Sequence, residues 1–300
     1  MVVSGAALAW VGVLLWRTWP VFREGLGQVD RPMMLAGFAL VAVASLLVFE
    51  AFRPLARVSG ITGLSPLQLG HLHFTSQLLR HLPGRIWGIG YQIAGGRPGG
   101  SVGAWLVVNV LHMGLAIYFA LLTSALVLLV PGDVPLAVLA GAAGLALYAV
   151  GWRLARATWL TRKVAPMRGR TGAALRVVVG SAARARTQDA GHAALAFVAS
   201  WIAMYGAWLC FAAAYPALQP AEGARLLALY MIAWFVGYAT VVSPSGLGVR
   251  ELVFAALAHD AGADVVAYLA IAGRVSLLSG DLVLGLLFAP FVPTKSQRSG

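Results

Sequence analysis

Charge is what this chain has least of. Only 11% of its 300 residues are Asp, Glu, Lys or Arg, against about a quarter in an ordinary soluble domain, and the mean hydropathy is +0.82. That excludes a water-soluble globular enzyme, and no polar stretch is long enough to house a separate catalytic domain. Cysteine is nearly absent: the single Cys210 excludes an intrachain disulfide and a cysteine-based metal cluster. Acids are scarce too, 10 against 22 basic residues, for a net charge of +12. Such a balance invites a nucleic-acid reading, but here the basic residues flank apolar runs. That is the pattern of the positive-inside rule and of attraction to anionic lipid, so no nucleic-acid partner is expected.

What the chain has in abundance is long apolar runs, at 2–19, 32–52, 102–130, 134–155, 190–215 and 263–290. Crossing a bilayer takes roughly 20 apolar residues, and these six runs reach or approach that length. The expected fold is therefore all-α: a polytopic membrane helical bundle of about six full spans, forming one integral membrane domain over 1–300. The first run has no basic residue ahead of it and no clear cleavage site, so it is taken as a retained helix. Between Arg153 and Arg186 lie nine basic residues and no acid until Asp189, which marks a cytoplasmic loop at about 156–189. Counting outward from it places both termini in the cytoplasm and the turn Pro131-Gly132-Asp133 outside. The loop 20–31 then falls outside despite Arg23 and Arg31, partly offset by Glu24 and Asp30.

Two further segments do not read as ordinary spans. Residues 66–96 are broken at Leu82-Pro83-Gly84-Arg85, and residues 224–259 at Pro244-Ser245-Gly246-Leu247-Gly248. A break followed by a short helix reads as a re-entrant hairpin, here at about 66–96 from the inside and about 224–259 from the outside. An ordinary span at 224–243 is the alternative. Opposed broken helices point to a binding site at the membrane midplane.

The second break carries the strongest chemical signal. Pro244 cannot continue a helix, and Gly246 and Gly248 allow a ligand to approach the backbone. A helix starting near Gly248 aims free N–H groups into the break beside Arg250, a cradle suited to phosphate. A tight hairpin whose Arg250 and Glu251 pair structurally would look the same. Each charge at mid-membrane costs about 2.5–3.5 kcal/mol, so Arg250, Glu251, Arg274 and Asp281 together approach roughly 10 kcal/mol. They must be paired or face water. Arg274 and Asp281 share one face of the last helix, two turns apart, and Glu251 and Asp281 are expected to hold the two arginines. In the first hairpin, His73, Ser76, Gln77, Arg80 and His81 form a polar stripe beside Pro83 and Gly84, lining either a cavity or the cytosolic surface. No carboxylate is close in sequence to His73 and His81, so no metal site is expected. Asn109 and His112 read as interhelical hydrogen-bonding groups. Ser245 has no base or orienting acid in evident reach, so no catalytic residue and no cofactor are assigned.

The stretch Pro244-Ser245-Gly246-Leu247-Gly248-Val249-Arg250-Glu251 resembles the signature of the lysylphosphatidylglycerol synthase transmembrane-region family, the flippase-like membrane domains. Leu82-Pro83-Gly84-Arg85-Ile86-Trp87 is similar to a second element of its stand-alone branch, and Arg274 sits where the family often carries an arginine. The resemblance spans about 60–290 and implies re-entrant helices and movement of a lipid between leaflets. It implies a headgroup site at Pro244, Ser245, Gly246, Gly248, Arg250, Glu251, Arg274 and Asp281, with His81, Pro83, Gly84, Arg85 and Trp87 at the other break. The chain lacks the soluble aminoacyl-transferase domain of the fused members, and serine stands at the second motif position where glycine is commoner. The expected function is a flippase, not an enzyme, for an anionic phospholipid or a polyprenyl-phosphate-linked lipid. Its partners are membrane lipids, with a glycosyltransferase as a further one, and its expected place is the bacterial inner membrane. The alternative is a membrane enzyme, or a non-transporting subunit, acting with a glycosyltransferase on a lipid-linked phosphate.

Overall fold

Helix starts and stops in this chain are set by local chemistry. A computed structural model describes residues 29–82, 86–129, 134–156, 187–216, 218–239 and 249–293. The helix α1 (Arg31–Val58) begins where the Asp30 side chain accepts from the Met33 N–H, with proline in its first turn, and stops at Gly60, whose φ is 90°. It runs past the expected end at 52. Arg53 pairs with Glu50 one turn back at 2.7 Å, and Pro54 is carried inside the helix. The helix α2 (Pro66–Leu79) opens with a reciprocal capping box between Ser65 and Gln68. After it come α3 (Ile86–Gly95), α4 (Val102–Leu129), α5 (Val134–Arg156), α6 (Thr187–Ala214), α7 (Pro220–Ala239), α8 (Val249–Leu257) and α9 (Ala263–Phe288). Among the described residues there is no strand.

Four of these helices, α1, α4, α6 and α9, are long and apolar enough to cross a membrane. They correspond to four of the six expected spans, and the chain is an all-helical integral membrane protein in that sense. The expected span at 134–155 falls on α5, whose described apolar stretch is the shorter Val134–Ala146. The expected span at 2–19 lies outside the described residues, as does most of the basic loop at 156–189.

Contacts at the helix ends give the topology. At one end of the bundle the Asp30 N–H donates to the Ala214 carbonyl (3.0 Å), Tyr215 donates to Asp264 (2.7 Å) and Arg225 pairs with Asp260 (2.9 Å). At the other, Arg57 pairs with Asp189 (2.9 Å), the Thr62 N–H donates to the Gly99 carbonyl (2.7 Å), and His71 Nδ1 meets the Phe288 carbonyl (3.0 Å). The helices α1, α6 and α9 run the full distance between these two ends.

The short helices do not. Helix α2 starts at the Arg57 end, and α3 folds back along it. A methyl on Gly88 would lie 2.6 Å from the Ser76 carbonyl oxygen, so only glycine admits this approach. Helix α7 starts at the Asp30 end and α8 returns along it, with Gly237 pressed on Arg250 Cβ at 3.1 Å from where its own Cβ would be. The pairs α2–α3 and α7–α8 thus start from opposite ends of the bundle, and each brings charged residues to α9. The core is divided in the same way. One buried cluster gathers around Phe52, Phe74, Trp105 and Phe197, the other around Trp208, Phe211, Tyr230 and Phe254.

Candidate functional site

Arg274 and Asp281 are the twelfth and nineteenth of the 26 residues of α9. At 1.5 Å per residue they stand about 17 Å from one end and about 10 Å from the other, inside the roughly 30 Å hydrocarbon layer of a bilayer. Each faces the tip of a different hairpin.

At Arg274 the partner is α8. Glu251 takes Arg274 at 3.1 Å and Arg250 at 3.3 Å, so one carboxylate serves two guanidiniums. Arg250 is nearly buried, with its guanidinium 5.3 Å above the Tyr230 ring, a cation–π contact that substitutes for lost hydration. At Asp281 the partner is α2. Asp281 Oδ2 accepts from Arg80 and meets His81 Nε2, both at 2.8 Å. Asp281 is 3% exposed, while the Arg80 side chain is 42% exposed and also donates to Gln77 at 2.6 Å. The two groups lie about 10 Å apart along α9 and together form a polar belt at mid-helix. Among the described residues the belt holds three arginines against two carboxylates.

This corrects the expected pairing. Glu251 alone holds Arg250 and Arg274, whereas Asp281 turns to the other hairpin. Residue 281 lies about 10 Å further along α9 than residue 274, level with the tip of α2. The absence of a carboxylate near His81 in sequence is likewise overturned in space. The polar stripe of the first hairpin divides as well. His73 and Ser76 are buried, with His73 among the rings of Phe49, Phe52, Phe74 and His112. Ser76 Oγ accepts from Gln92 Nε2 (2.8 Å), and Gln92 Oε1 in turn accepts from Asn109 Nδ2 (2.6 Å), so Asn109 does bridge helices. His112 does so through its ring faces, its Nε2 having no hydrogen-bond partner. Only Gln77, Arg80 and His81 turn toward the belt.

Of the residues expected at the site, Arg250, Glu251 and Arg274 come together in one group, and His81 and Asp281 in a second. Trp87 is half-exposed in the first turn of α3. Pro83, Gly84, Arg85, Pro244, Ser245, Gly246 and Gly248 lie outside the described residues. Two belt residues were missed: Arg80, read only as part of a stripe, and Tyr230. The available signal for Tyr230 was its place mid-way along an apolar run, far from the interface where tyrosine usually sits, and two turns before Gly237.

Chemically the belt offers forked cationic donors and an imidazole, the groups that bind oxyanions. Among the described residues no group of three histidine, cysteine or acidic side chains is placed to hold a metal ion. Comparison of the chain with family models, curated proteins and solved structures returned no match, so the reading of the site rests on its own residues.

Proposed function

We propose that this protein moves an anionic or phosphate-bearing lipid between the leaflets of a bacterial inner membrane. The observation that carries the reading is the meeting of two hairpins, from opposite ends of the bundle, on the charged middle of α9. Read in a bilayer, both are re-entrant and their tips lie at the midplane, the arrangement that gives a translocator access from either side. The arginines of the belt receive the headgroup phosphate while the acyl or isoprenoid tails stay in lipid. Membership of the lysylphosphatidylglycerol synthase transmembrane-region family, through the 244–251 motif, belongs to this proposal, as does a glycosyltransferase that supplies or uses the lipid. The Arg57 end is cytoplasmic, because α5 ends and α6 begins on either side of the nine basic residues of 153–186.

The test is exchange of a fluorescent, headgroup-labelled lipid in proteoliposomes, read by quenching of the outer leaflet. Exchange well above that of protein-free vesicles is expected, and Arg250→Ala should lower it more than it lowers thermal stability. Rates equal to empty vesicles for both anionic phospholipids and isoprenoid phosphates would overturn the reading.

A further inference from the structure

Tyr230 is a buried polar group to which the fold gives no partner. It is 1% exposed, and its hydroxyl makes no hydrogen bond. Native interiors seldom leave a buried hydroxyl unpaired, because its desolvation then goes uncompensated. A phenylalanine would fill the same space without that cost.

The hydroxyl cannot swing away. Trp208 lies against the ring at 4.9 Å between centroids, and Phe254 meets it edge-on at 5.3 Å. On the α9 side, a methyl on Gly273 would stand 3.3 Å from both Cζ and Oη. Arg250, Arg274 and Glu251 are all within electrostatic reach of the hydroxyl. An unused donor is therefore held rigidly against Gly273, the residue before Arg274, with the Arg250 guanidinium 5.3 Å over the same ring and the two guanidiniums sharing one carboxylate at 3.1 and 3.3 Å.

We propose that the Tyr230 hydroxyl selects the headgroup by donating a hydrogen bond to a phosphate oxygen that Arg250 and Arg274 hold by charge. This rests on the lipid-translocator reading and deepens it by naming the recognised group. Here one carboxylate oxygen, Glu251 Oε1, takes both guanidiniums. A phosphomonoester presents three terminal oxygens, one more than a carboxylate or a phosphodiester, so a neutral donor on a third helix favours it. Glu251, 31% exposed at its side chain, is the group that gives way when the anion enters.

The experiment uses the full chain in detergent with Tyr230→Phe, which keeps the ring beneath Arg250. The probes are a short-chain phosphatidic acid, a fatty-acid carboxylate of matched length and inorganic phosphate, followed by affinity and by thermal shift. Without ligand the variant should be at least as stable as the native chain, since the hydroxyl it loses is unpaired. Its affinity for the phosphate lipid should fall about tenfold, the worth of a hydrogen bond to a charged group, with carboxylate binding unchanged. Inorganic phosphate bound as tightly as the lipid, with the same dependence on Tyr230, keeps the oxyanion site and overturns the lipid reading. Phosphate-lipid binding that Tyr230→Phe leaves unchanged overturns the role of Tyr230 alone. A variant that loses stability and affinity together marks a structural hydroxyl and also overturns it. A native chain that binds neither phosphate probe overturns both readings.

Discussion

Removing Arg80 should harm the protein more than removing the acid it binds. Asp281 Oδ2 receives Arg80 and His81 at 2.8 Å each. Its side chain is 5% exposed, but that of Arg80 is 42% exposed. Breaking a buried ion pair costs about 3–5 kcal/mol, because the remaining charge is stranded. Arg80→Ala strands the carboxylate inside the bundle with His81 alone. The partial exposure of Arg80 places the expected loss at the lower end, about 3 kcal/mol. Asp281→Asn leaves a guanidinium that is 42% exposed and still donates to Gln77, so about 1–2 kcal/mol is expected. Once the acid is neutral, losing Arg80 costs little more. The double variant should therefore lie near Asp281→Asn alone, a coupling of about 3 kcal/mol. Reversible unfolding in mixed micelles with a denaturing detergent measures all four corners of the cycle. Additive single costs, or an Arg80→Ala protein as stable as the native chain, would refute the assignment of Asp281 as the buried anchor of α2.

Two glycine substitutions test the hairpins: Gly88→Val drives a side chain into the Ser76 carbonyl and should cost about 1–3 kcal/mol in the same assay. Gly237→Val pushes α8 off α7 at Arg250, and lipid exchange should drop several-fold as the belt loses its geometry. The Arg225 hydrogen bond holds the Asp260 carboxyl below its ordinary value. A depressed carboxylate stabilises above the unfolded pKa of about 3.9 and loses that contribution as pH falls through the folded value. The Tm gap between native and Asp260→Asn proteins should thus be present at pH 7 and shrink as pH falls below about 3.9. In a Cys210→Ser background, cysteine placed at Asp260 should react with an impermeant maleimide only from outside the cell, and cysteine at Arg97 only from inside. Labelling of both from one side would refute the topology.

How much of this was legible depended on whether depth or partnership was being asked for. The runs that became α1, α4, α6 and α9 were plain, because lipid demands unbroken apolar length. Their ends were not. Arg53, Pro54 and Arg57 looked like a stop after 52, yet the helix continues to Val58 because Glu50 neutralises Arg53 one turn away. The charges of the belt were equally plain, since each is costly in an apolar run. Their pairing was hidden, because it depends on how far along α9 each hairpin reaches, and periodicity carries no such information. Arg274 and Asp281 sharing a face implied a common cluster. The tip of α2 intercepts Asp281 first. Tyr230 was hidden for a different reason: an aromatic residue in an apolar helix is normally core, and only the missing hydrogen bond sets it apart.

The two hairpins are held by forces of different kinds, and that decides where the site opens at least cost. The α2–α3 hairpin is tied to its neighbours by directional bonds: His71 to the Phe288 carbonyl and to Tyr91, Ser76 through Gln92 to Asn109, and Arg80 and His81 to Asp281. In lipid, with no water to replace them, lost hydrogen bonds are poorly compensated, so this hairpin behaves as part of the frame. Helix α8 is nine residues long and buries only Arg250 and Phe254, and its polar ties run through Glu251 to arginines. An anionic headgroup can substitute for that carboxylate at Arg250 and Arg274, so turning the Glu251 side chain of α8 aside exchanges one anion for another instead of leaving charges bare. The energetic cost of admitting a headgroup is therefore lowest at α8 and is offset by the headgroup itself, whereas moving α2 would leave Asp281 uncompensated in the interior.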